Sequence, residues 1–291
     1  MMNRIVLVFC LGILLAGTTI QAQELSGGFK AGLNFSTFNG PSETDANGNE
    51  LESLKLNSGF HISGMINYNI TDLFGIRAEI MYSQKGTDYS FNGQSFWIFF
   101  PEPGTEVLNK GGNRNLKLSV SNAYIDLPIM AYGRLGRLEA SAGINVGILV
   151  SARAQGEITY DGANIQPFTI ALDYRYATDE VQKSVTGEDT QQVTTINGVP
   201  VRAPITTGAY YGVFGRDKRL YNIFDLGLNA GLSFYLNKGL FLGFRLNYGL
   251  LDATNNDQDF SNTTLGPQDD FLQLNDKDTN LSLQASIGFS F

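Results

Sequence analysis

At 291 residues, with 43% hydrophobic and 16% charged residues, the chain is apolar for a soluble protein. Yet beyond its first twenty residues no window approaches a helical membrane span, which excludes a helical membrane protein. The formal net charge of −8 excludes nucleic-acid binding, an affinity that rests on clustered Lys and Arg neutralising phosphates.

The first element is a leader. Met1-Met2-Asn3-Arg4 is a short basic start, residues 5–16 are an apolar core, and Ile20-Gln21-Ala22 offers a small-residue cleavage site. This predicts a secretory signal peptide over residues 1–22, cut after Ala22, and a mature domain over 23–291. Arg4 is the only charged residue in the leader, so removal takes the net charge from −8 to −9. Cys10, the only cysteine, leaves with it, and no small residue precedes it as a lipid-attachment box requires. An exported chain without disulfides must be held by hydrogen bonding and burial alone.

Strict alternation follows. Phe29, Ala31, Leu33 and Phe35 share one face, opposite Lys30, Gly32, Asn34 and Ser36. Segments of this kind recur at about 57–70, 73–88, 116–133, 137–152, 221–236 and 239–252. The last places Leu281, Leu283, Ala285, Ile287, Phe289 and Phe291 on one face. Eight strands result. Their connections alternate tight turns (Thr71-Asp72, Arg134-Leu135-Gly136, Asn237-Lys238-Gly239) with long polar stretches at about 38–56, 89–115, 154–220 and 253–278. Short turns on one side and long loops on the other are the layout of outer-membrane barrels. The fold class expected is therefore all-β, an eight-stranded antiparallel transmembrane β-barrel with long extracellular loops. Tyr68, Phe74, Tyr132, Phe234 and Phe241 near the turns, and Phe35, Phe60, Tyr82, Phe224 and Tyr248 towards the loops, read as interfacial girdles.

One strand breaks the pattern. Leu116, Leu118 and Val120 are apolar at even positions, whereas Ile125, Leu127, Ile129 and Ala131 are apolar at odd ones. The flip near Ser121-Asn122 marks either a bulge or the point where the strand leaves the membrane. Pro128 in the same strand has no ladder hydrogen bond to donate. In the third loop "VTTINGVPV" holds an Asn197-Gly198 hairpin signal and "FTIALDYRYA" alternates, so strands are expected above the membrane, with a ten-stranded barrel as the competing reading.

The segments "GGFKAGLNFSTF", "AEIMYSQKG", "AYIDLPIMAYG" and "FDLGLNAGLSFYLNKGLFLGFRLNYGLLD" together resemble the PorT-like outer-membrane β-barrel family of Bacteroidetes. The resemblance implies an eight-stranded barrel inserted by the outer-membrane assembly machinery, with Phe291 as the terminal aromatic recognition residue. The family's namesake serves a secretion and maturation system. The long third loop of this chain departs from any guide to function.

With eight strands the interior is just wide enough to be filled by side chains. Lys30, Arg77, Glu79, Asp126, Glu139, Asp225 and Arg245 are expected to face the lumen as a structural polar network, with Arg77, Glu79, Asp126 and Arg245 at similar heights. Charges buried there require partners. His61 is the only histidine, which excludes imidazole-rich metal sites; its neighbours Phe60 and Ile62 take the lipid face, pointing it inward. Phe96, Trp97, Ile98, Phe99 and Phe100 form an apolar run that packs over the mouth, enters the outer leaflet or meets a partner. Asp257, Asp259, Asp269, Asp270, Asp276 and Asp278 lack calcium-loop spacing and read as a solvated acidic loop.

No catalytic, cofactor-binding or metal-binding residue is assigned. The expected function is that of a non-enzymatic outer-membrane protein with a structural, surface-interaction or secretion-accessory role carried by its loops. A lipid A-modifying enzyme and a narrow channel are the alternatives. Expected partners are outer-membrane lipid and lipopolysaccharide, the barrel-assembly machinery, and a secretion-system or extracellular protein.

Overall fold

The structure is a computed structural model that describes residues 25–99, 107–162, 164–179, 191–211 and 219–291. The expected leader lies outside the described residues. In chain order the strands are β1 (Leu25–Asn39), β2 (Glu52–Asn69), β3 (Phe74–Phe99), β4 (Val107–Leu135), β5 (Leu138–Gly162), β6 (Ile165–Arg175), β7 (Gln191–Ile196), β8 (Val199–Pro204) and β9 (Thr206–Thr207). They continue with β10 (Phe224–Tyr235), β11 (Leu240–Gly249), β12 (Phe260–Leu265), β13 (Phe271–Gln273) and β14 (Thr279–Ser290).

Eight of these close a ring of antiparallel neighbours in the order β1-β2-β3-β4-β5-β10-β11-β14 and back to β1. Closure removes the unpaired edges an open sheet would present. At the seam, Gly27 N–H donates to the Phe291 carbonyl at 3.1 Å and Phe291 N–H to the Gly27 carbonyl at 2.9 Å. The alternation sorts the wall as a lipid-facing barrel requires: Leu33, Ile62, Ile80, Ile129, Leu232 and Phe244 are exposed outward, while Asn34, His61, Glu79, Met130, Ser233 and Arg245 are buried inward. Residues 70–73, 136–137 and 236–239 form the tight turns, the second relying on Gly136 at φ +61°.

The girdle expectation needs two corrections. Tyr132 and Phe241 are buried inside the barrel. Each shares the parity of inward neighbours, Met130 for Tyr132 and Arg245 for Phe241, so period two overrides closeness to a turn.

Residues 89–115, expected as a loop, are mostly strand. The β3–β4 hairpin stays paired up to Phe99 opposite Val107. Above the membrane the outer face meets water, so alternation persists while its polarity inverts: Leu116, Leu118 and Val120 now point inward and Lys117 and Ser119 outward. Even positions of β4 face inward on both sides of Ser121-Asn122, so the parity flip marks the exit from the membrane. A bulge does occur beside it, but on β5: Ala123 pairs with Ser151 and Tyr124 with Leu149, leaving Val150 unmatched. Pro128 faces the lumen where the β3–β4 ladder is interrupted, between the pairs Ala78–Ile129 and Met81–Asp126, so its missing donor falls at a gap.

The upper half of β5 leaves β10 and pairs with β6, which carries the β7–β8 hairpin and, in parallel, β9. These strands extend the sheet above the ring without widening it to ten. They enclose an aromatic core that includes Phe91, Trp97, Phe99, Tyr160, Phe168 and Tyr176. Asn197 and Gly198, at φ +51° and +78°, make the tight turn between β7 and β8.

Candidate functional site

Inward positions of eight strands meet in three stacked charge clusters. Nearest the turns, Glu139 forms an ion pair with Arg77, whose Nη1 lies 2.8 Å away, and accepts from Arg134 Nη2 at 2.8 Å. Arg77 Nε donates to Asn67 Oδ1 at 2.6 Å, and its guanidinium lies 5.0 Å from the centre of the Tyr132 ring. Further along β3, Glu79 receives Lys30 Nζ at 2.9 Å and Arg245 Nη1 at 2.9 Å, with no exposure of its side chain. Higher again, Lys85 Nζ lies 3.2 Å from Asp126 and 3.3 Å from Asp225. Asn145 and Asn280 donate to those two carboxylates at 2.9 and 3.1 Å.

All seven lumen candidates thus face inward and carry opposite-charge partners. The expected common height of Asp126 with Arg77, Glu79 and Arg245 is corrected: tilt and stagger place Asp126 opposite Met81, a level above, where it meets Lys85. Lys85 was missed, although its odd position continues the inward series Arg77, Glu79, Met81, Ser83. Arg134 was read as a turn residue, and nothing in the sequence marks its reach to Glu139. His61 lies inside the barrel with Nδ1 2.7 Å from Asn34 Oδ1. Phe291, the expected assembly residue, is exposed at the seam.

Of the three readings of the apolar run, packing over the mouth agrees with the burial of Phe96, Trp97 and Phe99, and that burial corrects the reading of them as partner or membrane contacts; Phe100 lies outside the described residues. Phe168 of β6 meets Trp97 edge-on at 5.6 Å and Phe99 at 5.5 Å, while Arg114 sits 5.6 Å from the centres of both the Phe96 and Trp97 rings. The apolar run leaves water by folding inward against the added strands.

Phe96 and Trp97 wall a cavity of about 330 Å³ above the lumen, lined also by Phe38, Tyr176 and Tyr221. Its acidic side corrects the expectation of a wholly solvated loop. The β12–β13 segment folds back so that Leu274 N–H donates to the Asp259 carbonyl at 2.9 Å. Asp259, Asp276 and Asp278 each bring a carboxylate oxygen within 4.8 Å of the others, a spacing able to hold a metal ion. Burial, then the charges of Asp278 and Asp276, push Asp259 up to about 8. Burial and the charges of Asp276 and Asp252 push Asp278 up to about 7. Asp257, Asp269 and Asp270 stay exposed.

The model of a family described as outer membrane protein beta-barrel domain matches residues 21–255. The comparison with curated proteins returns no match. Among solved structures, the attachment invasion locus protein Ail of Yersinia pestis is similar at 11% identity, covering 92% of this chain and 99% of that chain, with a TM-score of 0.34. OprG of Pseudomonas aeruginosa is similar at 11% identity, 92% and 97% coverage and a TM-score of 0.34. Neisserial surface protein A is similar at 12% identity, 91% and 97% coverage and a TM-score of 0.32.

Proposed function

Because the chain belongs to the outer membrane protein beta-barrel domain family, we propose that it is a non-enzymatic surface protein whose membrane half is a sealed anchor and whose extracellular half carries the interaction site. The observation behind this reading is the sequence of plugs in the lumen: Glu139, Glu79 and Asp126 are buried at successive levels, each closed off by a cation from a facing strand. A water column has no room to pass groups that solvent does not reach. What remains accessible is the aromatic and acidic cavity above them, built from the segments where binding residues ordinarily reside.

On this reading the belt contacts outer-membrane lipid and lipopolysaccharide, and the assembly machinery engages the chain through Phe291. The loops receive a secretion-system or extracellular partner. Export through a leader cut after Ala22 and a PorT-like affiliation accord with it. Planar-bilayer recording of the refolded full chain tests it: the membrane stays silent, and a steady single-channel conductance would overturn the sealed anchor.

A further inference from the structure

The geometry points to a calcium-class divalent cation site on the acidic wall of the extracellular cavity, made by Asp259, Asp276 and Asp278 with the Gln258 carboxamide oxygen. This deepens the surface reading and rests on it for access to the medium. A hard cation of this class takes oxygen ligands at roughly 2.3–2.6 Å, so two of its ligands lie at most about 5 Å apart. The three carboxylate oxygens, mutually within 4.8 Å, fit around one such ion. They come from both arms of the loop between β11 and β14, and the site would tie the β12–β13 segment to the foot of β14.

The second observation is independent of the acids. Gln258, 6% exposed, lines the same cavity, and its Oε1 is buried without a hydrogen-bond partner. Asp276 Oδ1 is likewise buried without one. Orphaned oxygen acceptors on residues that line the same cavity as a carboxylate cluster lack a positive or donating centre, which the described residues do not supply. Arg114 is the one Lys or Arg among the described lining residues, and it is engaged elsewhere, donating to Asn262 Oδ1 at 2.9 Å and to the Phe96 carbonyl at 2.7 Å.

Among the described residues, the charges that act most strongly on the cluster are acidic. Glu43, Glu52 and Asp252 add negative potential, and Tyr89 donates to Glu52.

The test uses the refolded full chain in detergent with terbium(III) as a luminescent calcium substitute, sensitised by Trp97, Tyr176 and Tyr221 on the same cavity wall. The expected result is saturable luminescence displaced by calcium. Asp259→Asn and Asp278→Asn should each weaken binding by about tenfold or more, since affinity follows ligand charge. Gln258→Leu should weaken it by a smaller factor. Asp269→Asn, at an exposed residue paired with Lys110, should bind as the unaltered chain does. The asparagine variants relieve repulsion and are expected to fold, which heat-modifiable gel mobility verifies. Absence of saturable luminescence in the unaltered chain, or unchanged affinity in both asparagine variants, overturns the site. Bilayer silence reports on the lumen plugs alone, so the cation site and the sealed anchor fail separately.

Discussion

Glu79 anchors the middle of the lumen, because among the described residues it alone neutralises both Lys30 and Arg245. Replacing it with glutamine leaves two buried cations without a counter-charge, and breaking a buried pair from one side costs roughly 3–5 kcal/mol. Glu79→Gln should therefore lower the temperature at which the folded gel band converts to the unfolded one. An unchanged transition would show that the cluster carries no stability. At the cavity the sign is reversed. The folded pKa values of Asp259 and Asp278, about 8 and 7, lie above the ordinary 3.8, so between about pH 4 and pH 8 the folded state holds more protons than the unfolded one. Stability then falls as pH rises through that window. In chelator, proteolysis within residues 253–278 should be faster at pH 8 than at pH 5; equal rates would contradict the crowding. Period two made the inward charges legible, but the sequence holds no record of which strand's charge meets which. The partnership of Lys85 with Asp126 and Asp225 depends on strand stagger, and the convergence of the three aspartates depends on how the last loop folds back.

Individual strands were readable wherever one face meets lipid, because β1, β2, β10, β11 and β14 keep a single polarity along most of their length. Reading failed above the membrane. There β3, β4 and β5 keep their period but invert its meaning, so Leu116, Leu118 and Val120 look out of phase although they face the same way as Tyr124 and Asp126. The β7–β8 hairpin was legible for a different reason, since Asn197-Gly198 satisfies a local backbone demand that needs no tertiary context. Gly198→Val places a β-branched residue at φ +78°, a left-handed conformation that costs about 1–2 kcal/mol. The hairpin joins β6 through one ladder pair, Ile165–Ile196, and through side-chain bonds from Thr194 to the Gln166 carbonyl and from Gln192 to the Thr169 carbonyl. Among the described residues it has no pairing with a strand of the ring, so the damage should stay local. Limited proteolysis should cut within residues 191–204 faster, while the heat-modifiable mobility of the barrel remains that of the unaltered chain. A simultaneous loss of barrel mobility would mean that hairpin and ring fold as one unit.

The whole molecule depends on a closure that no local signal encodes. Contacts at the β1–β14 seam join residues as far apart as Gly27 and Ser290, 263 positions in sequence, and such pairing forms only after the intervening wall is laid down. Gly32 sits on this seam opposite Ser286, and a Cβ built there would overlap the Ala285 carbonyl oxygen. Backbone cannot yield as a flexible side chain does, so Gly32→Ala pries the first and last strands of the ring apart. Gly64 provides the contrast, since it faces lipid and a Cβ there finds its nearest neighbour, Ile80, at 3.9 Å. Unheated gel mobility in detergent distinguishes a closed ring from an open chain. The unaltered protein and Gly64→Ala should both run as a compact band that shifts on boiling. Gly32→Ala should run largely as the shifted band or convert at a distinctly lower temperature. If both alanine variants behave alike, the seam is more compliant than its geometry implies, and the barrel's integrity rests on the seven other strand pairings.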